Sequence, residues 1–330
     1  MPVSLSHNDQ QRCTDTMKLI HDLKALESEK NLVMTIGTFD GVHRGHQHLL
    51  AQLVARARES DRLSAVLTFY PHPRSILYPE KRLDCLTTPE ERAALIETSG
   101  LDLLVLLPFT RKLADTSASA FVQILYRQLQ MREIWVGKGF AMGHRREGNI
   151  AELRDLSSEL GFTLRVMEPL LDQGKPISST RIRKLLANGQ VREAARLLGR
   201  NYALSNLIVG GAQRGRTMGF PTANLALPAY RAIPANGVYA VWASVGQRRF
   251  QGVANIGIRP TFDAGERRLE VHLFDHKGDI YGETLTVEFV CRLRAEKRFD
   301  DAAALVERIH HDIIEARQIL SETDRDGQAP

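Results

Sequence analysis

The chain has 330 residues, of which 43% are hydrophobic and 25% are charged, and its formal net charge is +5. This length allows two ordinary domains, and the composition excludes a disordered, collagen-like or coiled-coil protein. The longest apolar runs fall far short of the roughly 20 residues that a membrane-spanning helix needs, so no membrane span is expected.

The N-terminal stretch and the cysteines indicate the compartment. Residues 1–17 are polar and lack the apolar core of a secretory signal, so the sequence predicts a cytoplasmic protein. Cys13, Cys85 and Cys291 lie far apart and form no CxxC pair, which argues against a disulfide framework and a thiolate zinc site. Basic residues are interleaved with acidic ones along the chain, and this pattern favours a solvated surface, or attraction of a small phosphorylated ligand, over nucleic-acid binding.

Strands and helices alternate through the first half of the chain. Residues 31–39 form an apolar run that stops at Asp40-Gly41, and apolar positions at helical spacing predict a helix over residues 46–58. The alternation then continues with a strand, a helix whose N-cap is Thr88, a strand, a helix and a strand, over residues 63–69, 89–98, 103–107, 119–129 and 133–136. Apolar strands separated by helices predict a doubly wound α/β domain with a parallel sheet.

The pattern changes beyond Pro176. Two helices are predicted over residues 178–186 and 191–198, and five runs of alternating polarity follow, over residues 202–209, 237–245, 250–256, 269–273 and 285–291. Such runs, separated by Gly or Pro turns, predict an antiparallel barrel or sandwich. Apolar residues at helical spacing between residues 300 and 320 predict a C-terminal helix that packs across one side of it.

These patterns define the expected domain organisation. We predict a first domain over residues 17–186 and a second over residues 187–330, with a boundary near residue 186. Residues 1–16 precede the first domain and are interpreted as a disordered extension or as a misassigned start.

A glycine-rich turn with two histidines follows the first long strand, in the sequence GTFDGVHRGH over residues 37–46. A buried strand that runs through glycines into a helix N-terminus presents backbone N–H groups and the positive end of the helix dipole to one point, which suits a phosphate. His43 and His46 bracket Gly45, so both imidazoles can reach phosphate oxygens. The alternatives are two surface histidines or a pair of metal ligands. Against a zinc site, the spacing is not that of a helical HExxH motif, and no third ligand is obvious, although His48 lies close.

Two further segments are candidate phosphate sites. In ISSTRIR, over residues 177–183, hydroxyls at a helix start lie beside free N–H groups, and Arg181 adds a planar guanidinium. Taken alone, this segment fits a plain N-cap with a solvated basic face better. In GGAQRGRTMGFPTANL, over residues 210–225, the glycines and arginines can fold around phosphates and Thr222 and Asn224 supply oxygen atoms. The alternative is a glycine-rich hairpin loop, and the Walker A pattern is absent.

Together these motifs resemble a known family. GTFDGVHRGH followed by ISSTRIR resembles the nucleotidyltransferases that carry the HxGH signature, while LTFYPHP (residues 67–73), LTTPE (86–90) and GRTMGFPTAN (215–224) resemble the bacterial bifunctional riboflavin kinase/FAD synthetases. The resemblance implies a Rossmann-like nucleotidyltransferase domain followed by a riboflavin kinase-like antiparallel β-barrel with a C-terminal helix. It implies that the second domain phosphorylates riboflavin to FMN and the first converts FMN to FAD and pyrophosphate, with ATP as the other substrate and Mg²⁺ as cofactor in both.

The resemblance also implies the site residues of the first domain. Attack of the FMN phosphate on the α-phosphorus of ATP needs positioning and charge neutralisation, and these are implied for His43, His46 and Arg181. Contacts to ATP phosphates are implied for Gly37, Phe39, Asp40, Gly45, Ser179 and Thr180. The isoalloxazine ring is expected to border Phe69, Pro71, His72 and Pro73, although the prolines equally fit a turn that ends the strand.

In the second domain the resemblance implies Mg²⁺ ligands and a general base. Thr222 and Asn224 are expected to bind Mg²⁺, and phosphate contacts are expected from Gly215, Arg216 and Gly219. Glu270 lies in an alternating run, EVHLFD, where its apolar neighbours face the core and its own side chain points the other way, toward the mouth of the barrel. There it is expected to accept the proton of the ribityl 5′-hydroxyl. A strand glutamate taken alone is more often a solvated residue, and His272 is interpreted as structural.

One segment departs from the family pattern. The family usually has Gly-x-Asp/Asn-Phe-x-Phe-Gly after the fourth strand, and this chain has GKGFAMG over residues 137–143, with Gly139 in place of the acid or amide and Met142 in place of an aromatic residue. The departure predicts slow FMN adenylylation beside an unaffected kinase. The alternatives are a kinase whose first half is impaired, a flavin-binding regulator without turnover, and an RNA-binding protein. Thr222, Asn224 and Glu270 together disfavour the regulator, and the absence of a basic stripe with aromatic residues disfavours RNA binding.

Overall fold

The computed structural model describes residues 16–23, 30–209, 220–258, 267–276, 278–297, 299 and 301–325. The chain divides into two compact units, Met1–Ile177 and Ser178–Pro330. The helix that carries the ISSTRIR sequence therefore belongs to the second unit, while a domain boundary at residue 186 stays a prediction. The extension predicted over residues 1–16 lies, apart from Thr16, outside the described residues.

The first unit is built around a six-stranded sheet. Its elements in chain order are β1 (Lys18–Ile20), β2 (Leu32–Ile36), α1 (Arg44–Glu59), β3 (Leu63–Tyr70), α2 (Pro73–Leu77), α3 (Pro89–Glu97), β4 (Leu103–Pro108), α4 (Arg111–Ala114), α5 (Ala118–Gln128), β5 (Met131–Gly137), α6 (Ile150–Leu160), β6 (Thr163–Met167), β7 (Leu171–Asp172) and β8 (Lys175–Pro176). The sheet order is β1-β4-β3-β2-β5-β6, and every neighbouring pair is parallel. The predicted doubly wound α/β domain is confirmed.

The central strand of this sheet shows why the unit folds as it does. All five residues of β2 are buried, and successive side chains of a strand point to opposite faces. Met34 and Ile36 accordingly belong to one apolar cluster, while Val33 belongs to a second cluster that includes residues of α1. Helices cover both faces of the sheet, which leaves the carboxyl ends of its strands as the edge where loops can form a site.

The second unit contains a closed barrel. Its elements are α7 (Ser179–Ala187), α8 (Val191–Leu198), β9 (Tyr202–Val209), β10 (Ala223–Leu225), β11 (Gly237–Val245), β12 (Arg248–Ile258), β13 (Arg267–Leu273), β14 (Thr284–Arg294) and α9 (Ala302–Arg325). The strands close in the order β10-β13-β12-β11-β14-β9, and all pairs are antiparallel. Of the two architectures that the alternation allowed, the barrel is the one that forms.

Helix α9 packs across one side of the barrel, as its apolar periodicity predicted. Its residues Ala316 and Leu320 form an apolar cluster with Trp242 of β11. A buried ion pair fixes the same helix to β14: the carboxylate of Asp312, only 2% exposed, accepts hydrogen bonds from Nε and Nη2 of Arg294 at 3.1 and 2.8 Å. Nη2 of Arg308, one turn earlier on α9, lies 3.0 Å from Oδ1 of the same carboxylate.

We expect Asp312→Ala to destabilise the barrel unit strongly. Removing one partner of a buried ion pair leaves the other charge without compensation, which costs about 3–5 kcal/mol. The measurement is urea unfolding of the full chain in a Trp135→Phe background, which leaves Trp242 of the barrel unit as the tryptophan that reports unfolding. Glu283→Ala is the control in the same unit, because Glu283 pairs with Arg248 at 3.8 Å and both side chains are exposed, and exposed pairs contribute about 0–1 kcal/mol. Equal losses in the two variants would contradict the prediction.

Candidate active sites

The turn between β2 and α1 is tied to the segment before α3 by a buried carboxylate. Asp40, only 2% exposed, accepts hydrogen bonds from the backbone N–H groups of Leu86 at 2.9 Å and Thr87 at 3.1 Å. In return, Gly41 N–H donates to the Thr87 hydroxyl at 3.1 Å. Phe39, which precedes Asp40, has a φ of 47°, a strained conformation that holds only where the surroundings fix it. The Asp40 carboxylate thus shapes the turn rather than facing solvent.

Two glycines of this turn make room for aromatic rings. A Cβ on Gly37 would lie 3.0 Å from the Phe39 ring, and a Cβ on Gly45 would lie 3.2 Å from the imidazole of His43. Both distances are tighter than side chains normally tolerate, so larger residues would displace the rings. The predicted phosphate-binding glycines therefore also set the positions of the side chains around them.

His43 and His46 stack at the N-terminus of α1. Their ring centroids are 3.7 Å apart with an interplanar angle of 13°, and Nδ1 of His43 accepts the backbone N–H of His46 at 3.3 Å as the helix N-cap. Burial, together with the nearby His43, lowers the pKa of His46 well below its ordinary value. His46 is therefore a neutral imidazole at pH 7, and its buried Nδ1 has no hydrogen-bond partner among the described residues.

The predicted flavin border lies at the carboxyl end of β3. The Phe69 ring packs edge-on against Phe109 at 5.4 Å, the peptide bond before Pro71 is cis, and His72 is the N-cap of α2, of which Pro73 is the first residue. The strand-ending turn that the prolines equally fitted is thus present. Since β2 and β3 are parallel neighbours, this turn and the histidine pair follow strand ends at the same edge of the sheet.

Gly139 lies in the loop that follows β5 and does not need to be glycine. A Cβ on Gly139 would meet no atom within 4 Å. Gly143 in the same loop is different, because its φ is 75° and its Cβ would lie 2.6 Å from the backbone nitrogen of Ala118. Met142 packs against the core of the first unit. The departure at residue 139 therefore removes a side chain from an open position.

The ISSTRIR sequence forms the start of α7 in the second unit. The Ser178 hydroxyl is the N-cap and accepts the backbone N–H of Arg181 at 3.3 Å. Ser179 and Thr180 follow in the first turn, where Thr180 is exposed and Ser179 is half-buried. The helix start is thus a capped N-terminus with hydroxyls in its first turn, and phosphate contacts by Ser179, Thr180 and Arg181 stay a prediction.

Three polar residues lie side by side across three barrel strands. The strand register places Asn224 of β10 directly opposite Glu270 of β13, and Glu270 directly opposite Asn255 of β12. Directly opposite residues share one face of a sheet. The neighbours of Glu270 in β13, Leu269 and Val271, are fully buried, so Glu270 lies on the face directed away from the apolar interior. A carboxylate flanked by two amides therefore occupies one surface of the barrel wall.

The segment that carries Thr222 is held in place by His272. The Nδ1–H of His272 donates to the backbone carbonyl of Pro221 at 2.8 Å. Phe220, immediately before, is buried and packs edge-on against His272 at 5.8 Å and His310 of α9 at 5.0 Å. These contacts agree with the structural interpretation of His272. The other predicted residues of this motif, Gly215, Arg216 and Gly219, lie outside the described residues.

The donor chemistry around Glu270 fits a hard divalent cation. Asn224 is 6% exposed, Thr222 is half-buried two residues before it, and amide and hydroxyl oxygens are ligand types that Mg²⁺ accepts together with substrate phosphates. A cage made by the protein alone is not found: within the ranges that the structure describes, no three His, Cys, Asp or Glu side chains cluster as a metal site.

Comparisons with known proteins decide between the alternatives. A family model described as FAD synthetase matches residues 25–181, and a second described as riboflavin kinase matches residues 198–320. The bifunctional riboflavin kinase/FMN adenylyltransferase of Bacillus subtilis is 37% identical over 302 residues, covering 89% of this chain and 94% of the relative. The chain belongs to the family of bifunctional riboflavin kinase/FMN adenylyltransferases. The protein of that name from Pseudomonas fluorescens is 39% identical, and the alignment covers 92% of this chain and 98% of the relative. The one from Escherichia coli is 36% identical, and the alignment covers 93% of this chain and 99% of the relative.

The family membership confirms the predicted order of activities, with FMN adenylyltransferase in the first half and riboflavin kinase in the second. A crystal structure described as a macrolide-efflux protein from Streptococcus pneumoniae has the same fold, with a TM-score of 0.83, 32% identity, and coverage of 92% of this chain and 99% of that one. No helix among the residues described for this chain is long and apolar enough to cross a membrane.

Two residues in these sites received no role from the sequence. Asn255 lies 15 positions before Glu270, and only the register of β12 against β13 brings the two together. Arg92 is a buried residue of α3 that reaches the turn between β2 and α1. The sequence shows Arg92 only as an arginine on a short helix, and arginines in that position are ordinarily exposed. Its burial could therefore not be predicted.

Proposed function

We propose that the kinase reaction takes place at the polar row of Asn224, Glu270 and Asn255, and that adenylyl transfer takes place at the turn of residues 37–46. The observation that carries the first assignment is the register of β10, β13 and β12, which aligns a carboxylate between two amides. The second assignment rests on the stacked imidazoles at the N-terminus of α1, where the helix dipole favours an anion.

In the kinase reaction Glu270 is the general base. Its carboxylate accepts the proton of the ribityl 5′-hydroxyl as that oxygen attacks the γ-phosphorus of ATP; the bond from phosphorus to the β,γ-bridging oxygen breaks, and ADP leaves. Thr222 and Asn224 are the residues that would hold Mg²⁺, which neutralises phosphate charge when it is bound. Asn255 lies directly opposite Glu270 in the strand register, on the side away from Asn224, and places an amide beside its carboxylate.

In adenylyl transfer an oxygen of the FMN phosphate attacks the α-phosphorus of ATP, and pyrophosphate leaves. The protein contributes hydrogen-bond donors rather than a covalent intermediate. Because Nδ1 of His43 accepts a backbone N–H, the ring proton of His43 lies on Nε2, where it can donate to a phosphate oxygen. His46, neutral through its lowered pKa, donates one hydrogen bond without adding a full charge to a crowded site.

Other roles stay predictions that follow from the family. These are phosphate contacts by Ser179, Thr180 and Arg181 at the start of α7 and by Gly215, Arg216 and Gly219 in the second unit, and a flavin border formed by Phe69, Pro71, His72 and Pro73. The Asp40 carboxylate serves the site indirectly, through the turn that it holds. The substrates are riboflavin, FMN and ATP.

A chromatographic time course tests the proposal and the departure at residue 139 together. With purified full chain, riboflavin, ATP and Mg²⁺, we expect FMN first and FAD more slowly. Gly139→Asp is expected to raise the rate of FAD formation several-fold, on the order of one added charge-assisted hydrogen bond, while FMN formation stays unchanged. The open space at Gly139 accepts the new side chain.

Gly139→Ala is the matched control, because it adds a Cβ without a carboxylate. It is expected to behave as the natural chain does. Equal FAD rates in all three proteins would show that residue 139 has no part in adenylyl transfer, and FMN that accumulates without FAD in the natural chain would identify a kinase with an impaired first half. A chain that forms no FMN would overturn the assigned kinase function.

A further inference from the structure

A buried arginine joins the two strand ends that flank the proposed adenylyl-transfer site. Arg92 of α3 is 6% exposed. Its Nη1 donates to the backbone carbonyl of Thr38 at 2.6 Å, and its Nη2 donates to the backbone carbonyl of Phe69 at 2.9 Å. Thr38 lies in the turn that leads to the histidine pair, and Phe69 lies at the proposed flavin border. One guanidinium thus spans both halves of this site.

The two carbonyls lie where the strands separate. Regular pairing of β2 with β3 ends at Ile36 and Leu67, and the last backbone hydrogen bond between them is donated by Gly37 to Leu67 at 3.1 Å. Beyond that point the turn and β3 are joined through side chains: the Thr68 hydroxyl donates to the Thr38 carbonyl at 3.1 Å, and Arg92 links that carbonyl to the next residue of β3, Phe69. The Arg92 guanidinium is a planar group whose N–H donors have a fixed geometry. Its two hydrogen bonds therefore hold the backbone at Thr38 and the backbone at Phe69 a defined distance apart.

Burying Arg92 costs desolvation free energy, which an apolar side chain with only a packing role would not cost. Taking a guanidinium out of water is unfavourable, and this burial lowers the pKa of Arg92 despite the opposing influence of Asp40. A methionine or leucine would fill the same volume on α3 without that cost. The segment before α3 is itself tied to the turn by the Asp40 carboxylate, and Thr88 and Glu91 form a capping box at the helix start. The arrangement holds a charged group rigidly against two main-chain oxygens.

We propose that Arg92 is a positioning residue for adenylyl transfer, which sets the separation between the ATP-binding turn at Thr38 and the flavin-binding strand end at Phe69. The inference rests on the proposed function of this site. Adenylyl transfer depends on alignment of the FMN phosphate with the α-phosphorus, and displacement by about 1 Å can cost about 10²-fold in rate. In this role Arg92 touches neither substrate and acts through the two backbone segments.

The test compares Arg92→Lys and Arg92→Gln with the natural full chain. Lysine keeps the charge, but its single ammonium group cannot span both carbonyls in the same plane. We expect kcat for adenylylation of supplied FMN to fall about 10-fold to 10²-fold in both variants, while the dissociation constant of a non-reacting ATP analogue, measured by calorimetry, stays within about twofold. Riboflavin phosphorylation by the same chain is expected to stay unchanged.

Arg56→Lys is the matched control in the same unit. Arg56 donates through Nε to the buried carboxylate of Glu133 at 3.1 Å, near the opposite edge of the sheet. The Arg56→Lys variant is expected to have a lower melting temperature and an unchanged kcat for adenylylation. A kcat that falls no further in the Arg92 variants than in Arg56→Lys would overturn the inference, and so would unfolding of both Arg92 variants, which would show a purely stabilising role. Failure of the natural chain to adenylylate FMN would instead refute the proposed function of the site.

Discussion

Glu270→Gln is expected to lower the rate of FMN formation by about 10²–10⁴-fold, the usual contribution of a general base. Glutamine has the shape of glutamate but cannot accept the proton of the ribityl hydroxyl. The flanking amides of Asn224 and Asn255 lie in register with it and can hydrogen-bond to the new side chain, so the barrel wall is expected to stay intact. The measurement is initial FMN formation from riboflavin and ATP, by chromatography.

The adenylylation of supplied FMN by the same variant is the internal comparison, and we expect it to stay within about twofold of the natural rate. Glu288→Gln is the matched control, since Glu288 is a glutamate of β14 that pairs with Arg249 at 3.5 Å and has no assigned role in catalysis. Equal losses of FMN formation in the two variants would remove Glu270 from the mechanism. Loss of both activities in Glu270→Gln would contradict the separation of the two sites.

The fold could be predicted where a strand has five consecutive buried residues. β2 and β3 are of this kind, and their alternation with amphipathic helices was sufficient to predict a parallel sheet. β1 and β10 were missed because each has only three residues, too few for any periodicity. β6 was missed because its sequence, TLRVM, lies at the sheet edge with no fully buried residue.

The site could be predicted only as far as its motifs are local in sequence. His43 and His46 are three positions apart, and a helix start brings them together. The partners of Asp40, in contrast, are 46 and 47 positions away, so the sequence motif placed this carboxylate among phosphate contacts while the fold directs it to backbone N–H groups. The pairing of Glu270 with Asn255 likewise depends on strand register, which tertiary packing determines.

His46→Ala is expected to produce the opposite defect to Glu270→Gln. Removing a preorganised hydrogen-bond donor from a site of developing charge typically costs about 10²–10³-fold in kcat. His43 is expected to lose its alignment as well, because the stacking of the two rings at 3.7 Å disappears. The measurement is FAD formation from supplied FMN and ATP, together with FMN formation from riboflavin, which is expected to stay at its natural rate.

His48→Ala is the matched control for this variant. His48 lies on the same helix, is exposed, and contacts Gln52 through Nε2 at 2.7 Å, so its loss is expected to leave both rates within about twofold. FMN formation that falls in parallel with FAD formation would contradict the assignment of His46 to adenylyl transfer alone. If both assignments hold, an equimolar mixture of the Glu270→Gln and His46→Ala proteins will convert riboflavin to FAD much faster than either protein alone. FMN released by the kinase site of one chain then serves as substrate for the adenylyl-transfer site of the other.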